Sequence, residues 1–177
     1  MSTSCTILDS PFGEVLVAWS GRGLERVFIG AEAGRRVEPA WRVVADLDCP
    51  ATRQLREYFE GSRRTFDLPL VLEEGSAFRR RVWQALGDIP YGETVTYGEM
   101  AARVGSPNGS RAVGMACGAN PLPIVLPCHR VVGSGGRLVG FGGGIAMKAA
   151  MLEFERAIAS PQGALLLEPL PRRRRRD

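Results

Sequence analysis

Short apolar runs interrupted by turn residues dominate the first half of the chain and predict a small antiparallel sheet. Three β-rich segments, at residues 5–13, 14–20 and 23–30, are separated by Gly or Pro, and a tight hairpin is expected to join the second to the third. Residues 50–60 repeat apolar side chains at helical spacing, which predicts one helix. A further short strand is expected at residues 65–70.

The second half of the chain changes to helical periodicity, and we place the domain boundary where the pattern changes. We expect an N-terminal α/β domain over residues 1–73, a C-terminal domain over residues 74–160 and an extension over residues 161–177. The first helix of the C-terminal domain should begin after Ser76, a candidate N-cap, and stop at Pro90.

Two further short helices are predicted next to each other in the C-terminal domain. Thr96 and Glu99 have the spacing of a capping box, and Gly105 is expected to end the helix that they begin. After a turn, Asn108 or Ser110 is expected to cap the second helix. This pair has the outline of a helix-turn-helix, although helical hairpins that bind nothing share that outline.

The second helix of this pair carries small residues where a buried helix usually carries larger ones. These are Ala112, Gly114, Ala116, Gly118 and Ala119. Small side chains let another surface approach closely, and that surface could be a neighbouring helix or the groove of a nucleic acid. In the second case Arg111 would be the one long cationic side chain that reaches into the nucleic acid.

Composition describes an ordinary globular protein with an unusual tail. The chain is 45% hydrophobic and 24% charged, without a run of membrane-spanning length or a recognisable leader, so we expect a soluble, cytoplasmic protein that does not bind membranes. Residues 172–177 contain five Arg and one Asp, so the rest of the chain carries 18 basic and 18 acidic residues. The tail would suit a polyanion, or it is a solvated end without a partner.

The cysteines and the single histidine point to thiol chemistry rather than to a metal site. The four cysteines are scattered, without a Cys-x-x-Cys pair, at Cys5, Cys49, Cys117 and Cys128. One histidine cannot complete the usual Cys/His zinc patterns, so we expect free thiols and no metal. His129 directly follows Cys128, and because neighbours in an extended segment point to opposite faces, the two side chains need not touch. A buried structural cysteine is the alternative interpretation of Cys128.

Three segments resemble the O6-alkylguanine-DNA alkyltransferases, also called methylated-DNA–protein-cysteine methyltransferases. They read IPYGETVTYGEMA, SRAVGMACGANPLPIVLPCHRVVG and GFGGGIAMKAAMLEFE, and the resemblance is close over residues 75–156. It implies an α+β fold, with an N-terminal antiparallel sheet and helix of ribonuclease H-like outline. A mainly helical domain with a helix-turn-helix and the active-site cysteine would follow.

The resemblance also implies the activity and the partner. The protein would flip O6-alkylguanine, and also O4-alkylthymine, out of double-stranded DNA and transfer the alkyl group irreversibly to Cys128. The reaction would occur once per molecule and need no cofactor. A monomer in solution is expected, and cooperative binding to DNA is left open.

The roles of individual residues follow from the same resemblance. The implied catalytic residues are Cys128, His129, Glu155, Asn120 and Tyr97. A water molecule would join Cys128 to His129, and Glu155 would orient the imidazole. Asn120 would support the thiolate, and Tyr97 would meet a backbone phosphate and hydrogen-bond the guanine that leaves.

DNA contacts and a base pocket are implied as well. Arg111 would enter the base stack in place of the flipped nucleotide. The residues expected to contact DNA are Ser110, Arg111, Ala112, Gly114 and Cys117. The residues expected to line the pocket are Pro123, Val131, Ser134, Phe141, Gly142 and Gly143.

Three positions depart from the family pattern. Phe141 stands where many relatives have tyrosine, Cys117 where a larger apolar residue is common, and Gly118 where a basic or polar residue is common. These changes bear on DNA affinity and on the size of the alkyl group. Two alternative functions stay open: a lesion-binding module without alkyl transfer, and an unrelated thiol hydrolase.

Overall fold

The computed structural model describes residues 2–160. Its N-terminal part is a four-stranded sheet with a helix. Strands β1 (Ser4–Ser10), β2 (Gly13–Ser20) and β3 (Gly23–Ile29) form the predicted antiparallel hairpins. Strand β4 (Arg42–Val43) was not predicted, and it pairs parallel to β1 at the edge of the sheet, in the order β3-β2-β1-β4. The expectations for residues 161–177, including the arginine tail, concern residues outside those described.

The strand predicted at residues 65–70 is wrong. Only Leu70 pairs with the sheet, through an isolated bridge to Leu24. Pro69 has no N–H to donate to a neighbouring strand. The side-chain amide of Gln54 hydrogen-bonds both the carbonyl and the N–H of Asp67, each at 2.9 Å, so these groups are not free to pair with a strand. This extended segment therefore crosses from the helix to the sheet without forming a strand of its own.

Five α-helices form within residues 2–160, and the bounds of the first three agree closely with the sequence pattern. Helix α1 covers Pro50–Phe59, and α2 covers Ala77–Gly87 behind the predicted N-cap Ser76, whose hydroxyl accepts a hydrogen bond from the backbone of Arg79. Helix α3 covers Tyr97–Arg103 and begins with the predicted capping box.

The remaining elements complete the C-terminal part. Helix α4 covers Ser110–Gly118, and α5 covers Ile145–Ala159. Two short strands, β5 (Val95–Thr96) directly before α3 and β6 (Val131–Val132) between α4 and α5 in the chain, pair in parallel. The predicted cap of α4 is wrong: the N-cap is Gly109, and neither Asn108 nor Ser110 caps the helix.

One hydrophobic cluster runs through both parts of the structure. It joins sheet residues such as Val27 and helix α1 residues such as Leu55 to Met151 of α5 and to Cys128. The indole of Trp83 donates a hydrogen bond of 2.8 Å to the carbonyl of Ala116, which fixes α2 against α4. The segment that carries Cys128 and His129 is thus packed between the N-terminal and the C-terminal parts.

Across residues 2–160, no helix combines the length and apolar character needed to cross a membrane.

Candidate active site

Cys128 lies at the start of a short 3-10 helix, Cys128–Arg130, and not in the extended segment that we expected. The backbone N–H of Cys128 turns back to the carbonyl of Leu126 at 2.8 Å, and that of Arg130 reaches Pro127 at 3.0 Å. Pro127 has no N–H with which to continue a strand, so the chain turns here. The turn buries both Cys128, which is 6% exposed, and His129, which is fully buried.

The imidazole of His129 is hydrogen-bonded to the carboxylate of Glu155. Nε2 of His129 lies 2.7 Å from Oε1 of Glu155 in helix α5. A carboxylate only accepts, so Nε2 carries the proton and Nδ1 has the lone pair. Nδ1 is buried and has no hydrogen-bond partner among residues 2–160. Nδ1 is therefore the atom of His129 that can accept a proton from the thiol.

Glu155 is itself held by donors from several parts of the chain. Tyr58 donates to Oε1 at 2.8 Å, and the backbone N–H of Gly92 donates to Oε2 at 3.1 Å. Arg130 grips both oxygens, with Nε 2.9 Å from Oε2 and Nη2 3.0 Å from Oε1. Burial raises the pKa of Glu155, but the hydrogen bonds and charges of His129 and Arg130 outweigh it and lower the pKa to about 2.

The same surroundings keep His129 neutral. Burial lowers the pKa of His129, and the hydrogen bond and negative charge of Glu155 oppose that shift without cancelling it. Arg130 and Lys148 lower the pKa further through their positive charges. A neutral imidazole at neutral pH is the form that can act as a base.

Asn120 braces the backbone of the active-site segment. Its Nδ2 donates to the carbonyl of Leu126 at 2.7 Å, and its Oδ1 accepts from the backbone of Leu122 at 3.0 Å. Burial raises the pKa of Cys128, while a hydrogen bond from Asn120 and the charge of Lys148 lower it in part. The resting thiol therefore keeps its proton until a base removes it.

Lys148, the only lysine of the chain, is fully buried and was not among the predicted site residues. Its Nζ donates to the carbonyl of Val131 at 2.5 Å and to that of Val139 at 3.0 Å. It also lies 5.6 Å from the ring centroid of Tyr97. One ammonium group thus ties the glycine-rich loop before α5 to strand β6, beside the thiol.

Tyr97 faces the site from the start of helix α3. Its hydroxyl donates to the carbonyl of Val139 at 3.2 Å. Burial, together with the charges of the Cys117 and Cys128 thiolates, raises the pKa of Tyr97 to about 12. The hydroxyl is therefore protonated at neutral pH and can donate a hydrogen bond to a ligand.

The small residues of helix α4 lie both against a neighbouring helix and near its exposed side. Arg111 is exposed, while Ser110, Ala112, Gly114 and Cys117 are half-buried. A Cβ on Gly114 would lie 3.8 Å from the ring of Tyr97, so α3 and α4 approach closely at this point. Small residues thus permit helix packing on one side of α4, and the exposed side remains available to a nucleic acid.

The residues predicted to line a pocket are spread over two segments. Val131 is buried, Pro123 and Phe141 are half-buried, and Ser134 is exposed. The loop glycines differ: Gly142 has open space around it, whereas a Cβ on Gly143 would collide with Met147. The structure therefore brings the catalytic residues together more tightly than the pocket residues.

Sequence reasoning missed Tyr58, Arg130 and Lys148. The Arg130 signal was present, because the residue completes the PCHR segment next to the histidine. Tyr58 gave no such signal, since it reads as one apolar position of helix α1. Among residues 2–160, no group of three or more His, Cys, Asp or Glu could hold a metal ion.

Comparison with known proteins places this site in a family. The model of the 6-O-methylguanine DNA methyltransferase DNA-binding domain matches residues 77–157, and that of its ribonuclease-like domain matches residues 4–72. The chain therefore belongs to the 6-O-methylguanine DNA methyltransferase family, as the three resembling segments predicted, and the expected α+β class is confirmed.

Individual relatives carry the same assignment. The methylated-DNA–protein-cysteine methyltransferase of Methanosarcina acetivorans is 43% identical over 150 residues, 84% of this chain and 96% of that protein. The one from Mycobacterium tuberculosis is 43% identical over 152 residues, 86% of this chain and 92% of that protein. The crystal structure of Mycobacterium tuberculosis OGT in complex with DNA superposes with a TM-score of 0.81 at 41% identity, covering 90% of this chain and 96% of the other.

Glu155→Gln should destabilise the protein strongly. The amide cannot neutralise Arg130, whose side chain is 4% exposed, and an uncompensated buried charge costs on the order of 3–5 kcal/mol. Urea unfolding at neutral pH measures the loss. Glu153→Gln is the matched control, because Glu153 is exposed on the same helix, and it should change the free energy of unfolding by less than about 0.5 kcal/mol.

The same pair of variants tests the pKa of Glu155. The folded pKa of about 2 lies below the ordinary value of 4.5, so the carboxylate contributes stability that is complete above pH 4.5 and is lost as the pH falls toward 2. Glu153→Gln should keep this acid dependence, and Glu155→Gln should lose part of it. Identical acid dependences in the two variants would contradict the low pKa.

Proposed function

We propose that this chain is a DNA repair protein that transfers the alkyl group of O6-alkylguanine to the sulfur of its own Cys128. The observation that carries the proposal is a buried thiol that Asn120 hydrogen-bonds, followed directly in the chain by an imidazole bonded to Glu155, in a domain with a helix-turn-helix. The activity class is that of the relatives, which are named methylated-DNA–protein-cysteine methyltransferases.

The geometry supports a sequence of proton and alkyl transfers. Nδ1 of His129 takes the thiol proton, and a water molecule joins the two groups. The thiolate of Cys128 attacks the alkyl carbon, the carbon–oxygen bond breaks and its electrons stay with the guanine. The proton held by His129 returns to the guanine, which leaves neutral. Tyr97 donates a hydrogen bond to the leaving base.

The product explains a single turnover. A thioether on Cys128 has no acidic proton, and its carbon–sulfur bond does not break at neutral pH as an ester would. His129 has no further proton to remove from this sulfur. Each molecule therefore acts once and needs no cofactor.

We assign DNA recognition to the exposed side of helix α4. Arg111 would fill the space left by the flipped nucleotide, since the target oxygen is out of reach within a duplex. Ser110, Ala112, Gly114 and Cys117 would lie along the groove, and the pocket would be closed by the glycine-rich loop that Lys148 holds. The structure of the Mycobacterium tuberculosis relative with DNA supports this partner. We extend the substrates to O4-alkylthymine and propose that the protein is monomeric in solution.

Counting alkyl groups tests the assignment of Cys128. Incubation with excess duplex containing O6-methylguanine should add one methyl group per molecule, found by mass spectrometry on the peptide with Cys128. Cys128→Ser should accept none, and Cys117→Ser should still accept one, because the proposal assigns the transfer to Cys128 alone. Repeated turnover would indicate a hydrolase, binding without transfer would indicate a lesion-binding module, and methylation of Cys117 would refute the assignment.

Arg111→Ala should separate base flipping from chemistry. Transfer from duplex DNA should slow on the order of tenfold or more, since extrusion of a nucleotide costs a few kcal/mol. Transfer from the free base O6-methylguanine, which needs no flipping, should keep its rate. Arg103→Ala, an exposed arginine at the end of α3, is the control for lost charge. Equal losses with both substrates would mean that Arg111 supports the fold or the pocket.

A further inference from the structure

Tyr58 connects the N-terminal part of the protein to the active site. It lies in helix α1, 97 residues before Glu155, and its side chain is fully buried. Its hydroxyl donates to Oε1 of Glu155 at 2.8 Å. That is the same oxygen that lies 2.7 Å from Nε2 of His129. One carboxylate oxygen therefore serves the histidine and the tyrosine together.

We infer that Tyr58 is a positioning residue for alkyl transfer, acting on His129 through the shared oxygen of Glu155. The inference rests on the proposed role of His129 as the base that deprotonates Cys128. Tyr58 itself touches neither the thiol nor a substrate. Its effect is on the orientation of the imidazole and on the affinity of Nδ1 for a proton.

Aromatic packing fixes the ring of Tyr58 and so keeps its hydroxyl against Glu155. Its centroid lies 5.5 Å from that of Phe59, 5.7 Å from Phe66, 6.0 Å from Tyr91 and 5.9 Å from Phe154. Aromatic neighbours on several sides fix the ring plane in a close-packed core. The hydroxyl is therefore placed by packing, and Oε1 of Glu155 is placed by the hydroxyl.

The hydroxyl keeps its proton beyond the ordinary tyrosine range. Burial, and then the negative charge of Glu155, raise the pKa of Tyr58 well above its ordinary value. A phenol that keeps its proton can only donate to an ionised carboxylate. Tyr58 thus draws negative charge from Oε1 without adding a charge of its own.

The other ionisable groups around the pair do not replace this contact. Arg130 also donates to Oε1, from Nη2 at 3.0 Å, and to Oε2 from Nε at 2.9 Å, so it still holds the carboxylate when Tyr58→Phe removes a donor from Oε1. Lys148 on α5 lowers the pKa of His129 through its positive charge, and its ammonium group donates to backbone carbonyls such as that of Val131 rather than to Glu155. Tyr91 faces the cluster with a hydroxyl that has no partner among these residues.

Removal of the hydroxyl should shift the pKa of His129 upward. In Tyr58→Phe, Oε1 has one donor fewer and holds more negative charge, so it stabilises the imidazolium form of His129 more strongly. The pKa of His129 should therefore rise. Because only the neutral imidazole accepts the thiol proton, alkyl transfer should slow on the acid side of the profile and recover as the pH rises.

The test compares Tyr58→Phe with Tyr91→Phe. The two variants each remove one buried phenol oxygen, and the two rings are neighbours, but only Tyr58 contacts Glu155. The first measurement is the rate of transfer from the free base O6-methylguanine across the pH range. The second is the NMR titration of the imidazole, which is unambiguous because the chain has one histidine.

Tyr58→Phe should show a raised His129 pKa, with the acid limb of its rate profile displaced to higher pH by the same amount and little loss on the alkaline side. Tyr91→Phe should follow the unmodified protein in both measurements. A loss by the same factor at every pH, or equal shifts in the two variants, would overturn the inference. If the unmodified protein transfers no methyl group, the proposed function fails, and the NMR titration still decides the role of Tyr58.

A second replacement guards against a variant that does not fold. Site-specific 3-fluorotyrosine at position 58 keeps the ring and the contact but makes the phenol a stronger donor. The pKa of His129 should then fall, opposite to the shift in Tyr58→Phe. Shifts of the same sign in the two proteins would overturn the inference.

Discussion

The carboxylate of Glu155 is the group on which the arrangement of the active site depends. It is fully buried and accepts hydrogen bonds from helix α1, from the loop after α2 and from the 3-10 helix that begins at Cys128. A buried charge is stable only when its lone pairs are satisfied, so each of these elements must be in place for the carboxylate to be ionised. The packing of these elements and the state of the active site thus both depend on the hydrogen bonds to Glu155.

The surroundings of Cys128 favour the protonated thiol, whereas those of Glu155 favour the ionised carboxylate. Cys128 is buried away from bulk solvent, and burial raises its pKa. Asn120 and Lys148 offset part of that rise, and neither removes the proton. The resting site therefore keeps a protonated thiol, and the proposed function assigns its deprotonation to His129.

The elements of the fold were predicted well where local chemistry decides them. The capping box at Thr96 and the N-cap at Ser76 formed because each satisfies backbone donors within its own turn. The strand at residues 65–70 failed because side-chain contacts with helix α1 took up its backbone, and short apolar segments do not reveal such competition.

The site was predictable only in part, for a related reason. Cys128, His129 and Glu155 are recognisable from motifs, whereas Tyr58 and Lys148 act through contacts that long-range packing creates. Tyr58 has the spacing of a core aromatic, and its hydroxyl gains a function only when helix α1 meets α5. The 3-10 turn at Cys128 also escaped prediction, because three residues are too few to show a period.

The central claim is that Glu155 fixes the tautomer of His129 and leaves Nδ1 as the base for the thiol. Nitrogen-15 NMR of the single imidazole reports which ring nitrogen carries the proton. At neutral pH, we predict a protonated Nε2 and an unprotonated Nδ1. A proton on Nδ1, or an imidazolium with both nitrogens protonated at that pH, would contradict the account.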